Sequence, residues 1–90
     1  MYNSVIAGYS RSPFTMARKG ELIDVKPVNL LSEVIKNLVS KSKINPNDIE
    51  DVIIGCAFPE GEQGFNIGKL SSLISEMDIK TSGMTVNRWC

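Results

Sequence analysis

The stretch Asn45-Pro46-Asn47-Asp48-Ile49-Glu50-Asp51-Val52-Ile53-Ile54-Gly55 decides how the rest of the chain is read. Asn45 offers a capping oxygen and Pro46 the preset φ of a first helical position, so the segment opens as a tight turn. The β-branched run Val52-Ile53-Ile54 then reads as a buried strand that Gly55 closes. Upstream, Pro27 suits a first helical position, and Val28, Leu31, Ile35, Leu38 and Val39 fall on one face, which predicts an amphipathic helix to about Lys41. Downstream, the loop Phe58 to Phe65 leads to Asn66. That residue can cap a helix with apolar positions Ile67, Leu70, Leu73, Ile74 and Met77, ending near Asp78. Thr81-Ser82-Gly83 reads as a turn into a short strand, Met84-Thr85-Val86. At the start, Ser4 to Tyr9, with its Val5-Ile6 pair, reads as a first strand, and Arg11 to Lys26 as an ordered loop.

Strand, helix, strand, helix, strand is the order this predicts, with crossovers long enough for right-handed connections. The fold class is therefore α/β, with parallel strands and helices on their faces. A parallel sheet of three strands leaves its edges bare, and no polar tail follows Val86-Asn87-Arg88-Trp89-Cys90. Both features lead to the expectation that these 90 residues are a piece of a longer chain.

Composition narrows the function classes. With 42% hydrophobic and 22% charged residues the chain can build a core. Lys+Arg and Asp+Glu are 10 each, so no net field draws in nucleic acid or an anionic membrane, and neither is expected as a partner. There is no histidine, which removes the commonest general base and the commonest transition-metal ligand, and no metal site is expected. Cys56 and Cys90 are too few for a disulfide framework and too far apart for a Cys-x-x-Cys motif, so both read as thiols. The first ten residues lack the basic start and apolar run of a secretory signal, and no stretch reaches membrane-spanning length; a cytoplasmic protein is expected. Gly61 and Gly64 do not form a G-x-G-x-x-G pattern, so a dinucleotide is not indicated.

Cys90 is the sharpest candidate for chemistry. It lies four residues beyond Val86, past the carboxyl end of the third predicted strand, where open α/β sheets place ligand sites and where a following helix N-terminus would favour a thiolate. By residue type alone, a lone cysteine is more commonly a small buried hydrophobe. Cys56, at the end of the second predicted strand, reads as a small buried thiol. Arg11, Arg18 and Lys19 read as solvated surface charge, with contact to a phosphate as the alternative.

Met84-Thr85-Val86-Asn87-Arg88-Trp89-Cys90 resembles the thiolase segment in which V-N-R/K-x-C ends at the acyl-accepting cysteine. Three further stretches resemble that family in the same order. Arg11-Ser12-Pro13-Phe14 with Lys19-Gly20-Glu21-Leu22 is similar to the elements after its first strand. Asp48 to Gly55 is similar to its acidic turn into the second strand. Cys56-Ala57-Phe58-Pro59-Glu60-Gly61-Glu62-Gln63-Gly64-Phe65-Asn66 is similar to the loop before the second helix in thiolases acting on longer 3-ketoacyl chains. Trp89 departs from the pattern, standing at a variable position usually held by a smaller residue.

The resemblance implies a three-layer α/β/α fold, of which residues 1–90 supply the first βαβαβ part of the N-terminal mixed sheet; the loop region and C-terminal domain would lie beyond. It implies an acyl-CoA acyltransferase performing reversible thiolytic cleavage or Claisen condensation of 3-ketoacyl-CoA through an acyl intermediate on Cys90. Coenzyme A and acyl-CoA would be substrates rather than a resident cofactor, their binding residues here unassigned, and the whole protein a homodimer or homotetramer. Glu60 and Glu62 would then belong to an inter-subunit region, with acid/base work as the minor alternative. The family's catalytic histidine and second cysteine belong to its C-terminal half, so the 90 residues alone are expected to be inactive. A thiolase-like homologue that binds acyl-CoA or a protein without catalysis is the alternative. A ketoacyl synthase or hydroxymethylglutaryl-CoA synthase fits less well, because V-N-R-W-C lacks their small and acidic surroundings.

Overall fold

Pro27 opens helix α1 (Pro27–Ser42), where its missing N–H costs no helical hydrogen bond. Lys43 closes it in the left-handed conformation, φ 57°, donating its N–H to Ser40 O. The computed structural model describes residues 3–89. Asn45 Oδ1 accepts from the Asn47 N–H at 3.0 Å and starts a single 3-10 turn, Pro46–Asp48. Strand β1 (Asp51–Gly55) follows, then a second 3-10 turn, Gly61–Gln63, helix α2 (Ile67–Ile74) and strand β2 (Ser82–Val86).

The two strands pair in parallel, from Asp51 opposite Ser82 to Gly55 opposite Val86. Their starts are tied together: Ser82 N–H donates to Glu50 O at 3.0 Å, and buried Thr81 donates its hydroxyl to Ile49 O at 2.8 Å. Val52 is buried while its neighbour Ile53 is 60% exposed, so one face of the pair is covered. The cover is α2, and α1 packs in turn against α2. A helix crossover between parallel strands is the α/β arrangement expected from the pattern.

What lets α2 sit so low on the sheet is the absence of side chains at two positions. A Cβ on Gly83 would stand 2.4 Å from Lys69 N and 2.7 Å from Gly68 C, and one on Gly68 would stand 2.4 Å from Met84 O. The first turn of α2 therefore lies backbone against backbone on β2. Behind it the buried side chains are small: Ser71 and Ser72 are fully enclosed and return their hydroxyls to Gly68 O and Lys69 O at 2.9 and 2.8 Å. Such internal bonds remove the cost of burying a hydroxyl.

Three details differ from the sequence expectation. Residues 4–9 form no strand, so the described residues contain two strands rather than three. This segment runs beside α1, where Ser10 Oγ donates to Asn37 Oδ1 at 2.9 Å and the Lys41 ammonium lies 5.2 Å from the centre of the Tyr9 ring. Val5 and Ile6 stay 82% and 95% exposed. A β-branched pair favours a strand only where a neighbouring ladder can receive it, and α1 offers none. Ser82 and Gly83 belong to β2 rather than to a turn, because Gly83 serves close approach and not chain reversal. The turn lies earlier, where Thr81 N–H donates to Asp78 O and Lys80 N–H to Asp78 Oδ1, both at 2.9 Å. Finally, α2 stops at Ile74 and not near Asp78. Glu76 turns left-handed, φ 63°, and the Met77 N–H reaches back to Ser72 O while Glu76 N–H meets Leu73 O, a Schellman ending. The C-terminal apolar residue of that motif commonly packs back on the helix, which is why Met77 fits the helical period.

The close approach yields a test with an internal control. Gly83→Ala should lower the free energy of unfolding by about 3 kcal/mol, because the new methyl meets backbone that cannot rotate away. Gly55→Ala, whose Cβ would meet nothing within 4 Å, should change it by less than about 0.5 kcal/mol. Urea unfolding followed by circular dichroism measures both, and equal midpoints for the two variants would contradict the packing described.

Candidate functional site

Because β1 and β2 are parallel, their carboxyl ends open on the same side, with Gly55 and Val86 as the last register pair. One further bond, Cys56 N–H to Val86 O at 2.9 Å, extends the ladder. Past it, Gly55, Cys56, Ala57, Val86, Asn87 and Arg88 line an open depression of about 480 Å³. Ligands of open parallel sheets bind outside the carboxyl ends of the strands, so this is the position where a substrate would be sought.

Cys90 lies outside the described residues. Asn87, Arg88 and Trp89 carry the chain from the rim toward it. Cys56 is a free thiol on the wall of the depression and is half-buried, not buried as its type suggested. It follows the last register pair and so leaves the cover that α2 gives the strands. Arg11, Arg18 and Lys19 are exposed on the segment before α1 and do not line the depression; the cation that does is Arg88. Glu60 and Glu62 are exposed at the 3-10 turn and do not line it either. A larger concavity of about 570 Å³, between the ends of α1 and α2, shares no residue with it.

The loop beside the depression is held by its own backbone and by one glutamine. Phe58 O accepts both the Glu60 N–H, at 2.8 Å, and Gln63 Nε2, at 2.9 Å. Phe65 and Asn66 then take left-handed conformations in succession, φ 56° and 58°. For residues other than glycine this costs on the order of 1–3 kcal/mol each. Asn66 offsets part of that cost: Oδ1 accepts from Lys69 N–H at 3.2 Å and from Thr85 Oγ1 at 3.1 Å, and Nδ2 donates to Gly83 O at 2.9 Å. It caps α2 and also ties the helix to β2. The cap was legible from sequence; the ties were not, since Gly83 and Thr85 are distant along the chain. Asparagine itself was the available signal, being both donor and acceptor and tolerant of the left-handed region.

Among the described residues no three His, Cys, Asp or Glu side chains gather as a metal site, and no helix is long and apolar enough to cross a membrane. Compared with known families, residues 4–90 match the N-terminal domain of thiolases. The chain belongs to the thiolase family. Among curated relatives, the 3-ketoacyl-CoA thiolase of Bacillus subtilis strain 168 is 34% identical over 90 residues, all of this chain and 23% of the relative. That of Colwellia psychrerythraea is 38% identical over 91 residues, again all of this chain and 24% of the relative. This thiolase chain thus spans about a quarter of the length of the curated relatives it matches. Its fold superposes on the crystal structure of the Bacillus anthracis acetyl-CoA acetyltransferase with a TM-score of 0.85 and 26% identity, covering 93% of this chain and 21% of that one. A thiolase from Ascaris suum in complex with coenzyme A gives 0.73 and 26%, over 80% of this chain and 19% of that one.

Within the thiolase chain, the double role of Asn66 separates by substitution. Asn66→Ala should cost about 2–3 kcal/mol, combining the lost cap, the lost ties and a strained alanine. Asn66→Gly, which relieves only the strain, should be about 1 kcal/mol more stable than Asn66→Ala. Thermal melts of the two variants give the order; alanine the more stable would remove the left-handed strain from the account.

Proposed function

We propose that this thiolase chain carries the acyl-accepting thiol, Cys90, of an acyl-CoA acyltransferase that reversibly cleaves 3-ketoacyl-CoA by thiolysis, the opposite direction being a Claisen condensation. The observation that carries the reading is the V-N-R-W-C motif, of which Val86, Asn87 and Arg88 line the open depression at the carboxyl end of β2, in a chain of this family. The names of the matched relatives and the coenzyme A held by one structural neighbour support it.

In cleavage, the Cys90 thiolate adds to the keto carbon and forms a tetrahedral oxyanion. Collapse of the oxyanion breaks the adjacent carbon–carbon bond, leaving the acyl group on sulfur and expelling the enolate of acetyl-CoA, which takes up a proton. The thiolate of free coenzyme A then attacks the acyl-cysteine, releasing the shortened acyl-CoA and regenerating the Cys90 thiolate. Coenzyme A enters as the thioester in the first half-reaction and as the free thiol in the second, so on this reading it is a substrate and not a resident cofactor. The steps also require a proton carrier and donors for the oxyanion. The 90 residues contain no histidine, and on this reading the partners of Cys90 are supplied from outside them, in a homodimer or homotetramer.

Brief exposure of the longest product of the reading frame to an acyl-CoA, followed by peptide mass spectrometry, tests the assignment. The acyl group should appear on Cys90, disappear in Cys90→Ser and persist in Cys56→Ser, while the 90 residues alone should show no thiolysis. Acylation of Cys56, or acylation that survives Cys90→Ser, would overturn the role of Cys90. A protein that binds acyl-CoA without acylation would be a non-catalytic homologue.

A further inference from the structure

Phe58 and Trp89 stand three residues beyond Gly55 and Val86, the last register pair of the sheet. Apart from Cys56 N–H to Val86 O, no main-chain hydrogen bond joins the two described segments past the strands. The rings take over: their centroids are 4.4 Å apart at an interplanar angle of 75°, an edge-to-face pair. Such a pair is attractive beyond the area it covers, because the positive ring edge meets the negative ring face. Phe58 is itself fixed, since its carbonyl accepts from both Glu60 N–H and Gln63 Nε2. Gln63 closes the 3-10 turn that precedes Asn66, the residue that ties α2 to β2. A continuous line of support runs from the sheet through Asn66 and Gln63 to Phe58, and from there to Trp89, the residue covalently joined to Cys90.

We infer that Phe58 and Trp89 form an aromatic latch that holds the two segments together beyond the last hydrogen bond of the sheet and so fixes Trp89, the residue bonded in sequence to Cys90. The inference rests on the reading of Cys90 as the nucleophile. Trp89 and Phe58 are positioning residues and take no part in bond making. A misplacement of about 1 Å at a reacting atom can cost as much as 100-fold in rate, so a contact one residue away from the nucleophile has leverage.

Two measurements test the latch. Trp89 is the single tryptophan of the 90 residues, so its fluorescence reports the pair directly. Phe58→Leu should shift the emission to the red and raise acrylamide quenching about twofold; unchanged emission and quenching would overturn the pairing. In the longest product of the reading frame, Phe58→Leu and Trp89→Leu should each slow acylation of Cys90 by acetyl-CoA about tenfold at saturating acyl-CoA, with its half-saturating concentration unchanged. The double variant should be no slower than either single one. Phe58→Tyr and Trp89→Phe should stay within about threefold of the parent. A lowered melting temperature with an unchanged acylation rate, or additive losses in the double variant, would overturn the inference. If the parent is not acylated on Cys90, the proposed function fails by itself. The latch is then read from alkylation of Cys90 by iodoacetamide, where the same coupled pattern supports it and rates unaffected by Phe58→Leu reject it.

Discussion

The contact on which the rest depends is the backbone-to-backbone approach of α2 to β2 at Gly68 and Gly83. Only at that separation can Asn66 reach Gly83 O and Thr85 Oγ1, and can Lys69 Nζ reach Ile79 O and Thr81 O, at 2.8 and 2.6 Å. It also dictates what the interior is made of. A helix lying this low has room behind it for serines and a threonine rather than for leucines, and the largest fully buried side chains among the described residues are Thr81, Ser32, Ser71 and Ser72. Val52 and Ile67 are the buried hydrophobic residues among those described. Stability here leans on close packing and satisfied hydroxyls more than on buried apolar area. One buried hydroxyl, Ser75 Oγ at the end of α2, has no partner among the described residues.

From this contact the geometry of the site follows in steps. Fixing α2 fixes β2, and the parallel register fixes Gly55 beside Val86. That places Cys56, Asn87 and Arg88 around one depression at the strand ends. The left-handed pair Phe65 and Asn66 turns the chain so that the helix can start where Gly68 meets Met84. Two left-handed residues thus stand side by side in the loop beside the depression, where three bonds from one asparagine offset part of their cost.

Much of the architecture was legible residue by residue. Pro27, Asn45 and Asn66 announced element starts through chemistry that is local: a missing N–H, or a side-chain oxygen two or three residues from its donor. Val52-Ile53-Ile54 announced a strand, and the lengths between elements allowed a parallel crossover. The V-N-R-W-C segment, with the stretches before it, pointed to the family. What misled was local signal without its partner. Val5-Ile6 has the composition of a strand but lies along a helix, Gly83 has the composition of a turn but sits inside β2, and Met77 keeps the helical period one turn after the helix has stopped.

By itself, then, the sequence determined the types and order of the elements from Pro27 onward, the parallel sense of the pairing and the family, because most of these rest on interactions between residues a few positions apart or on motifs read in line. Tertiary structure alone decided which glycines are spacers, which asparagine atoms reach across to β2, and that Phe58 meets Trp89. Those outcomes depend on how close two distant backbones come. Along the chain a glycine records only that a side chain is missing; what occupies the space appears when α2 is laid on β2.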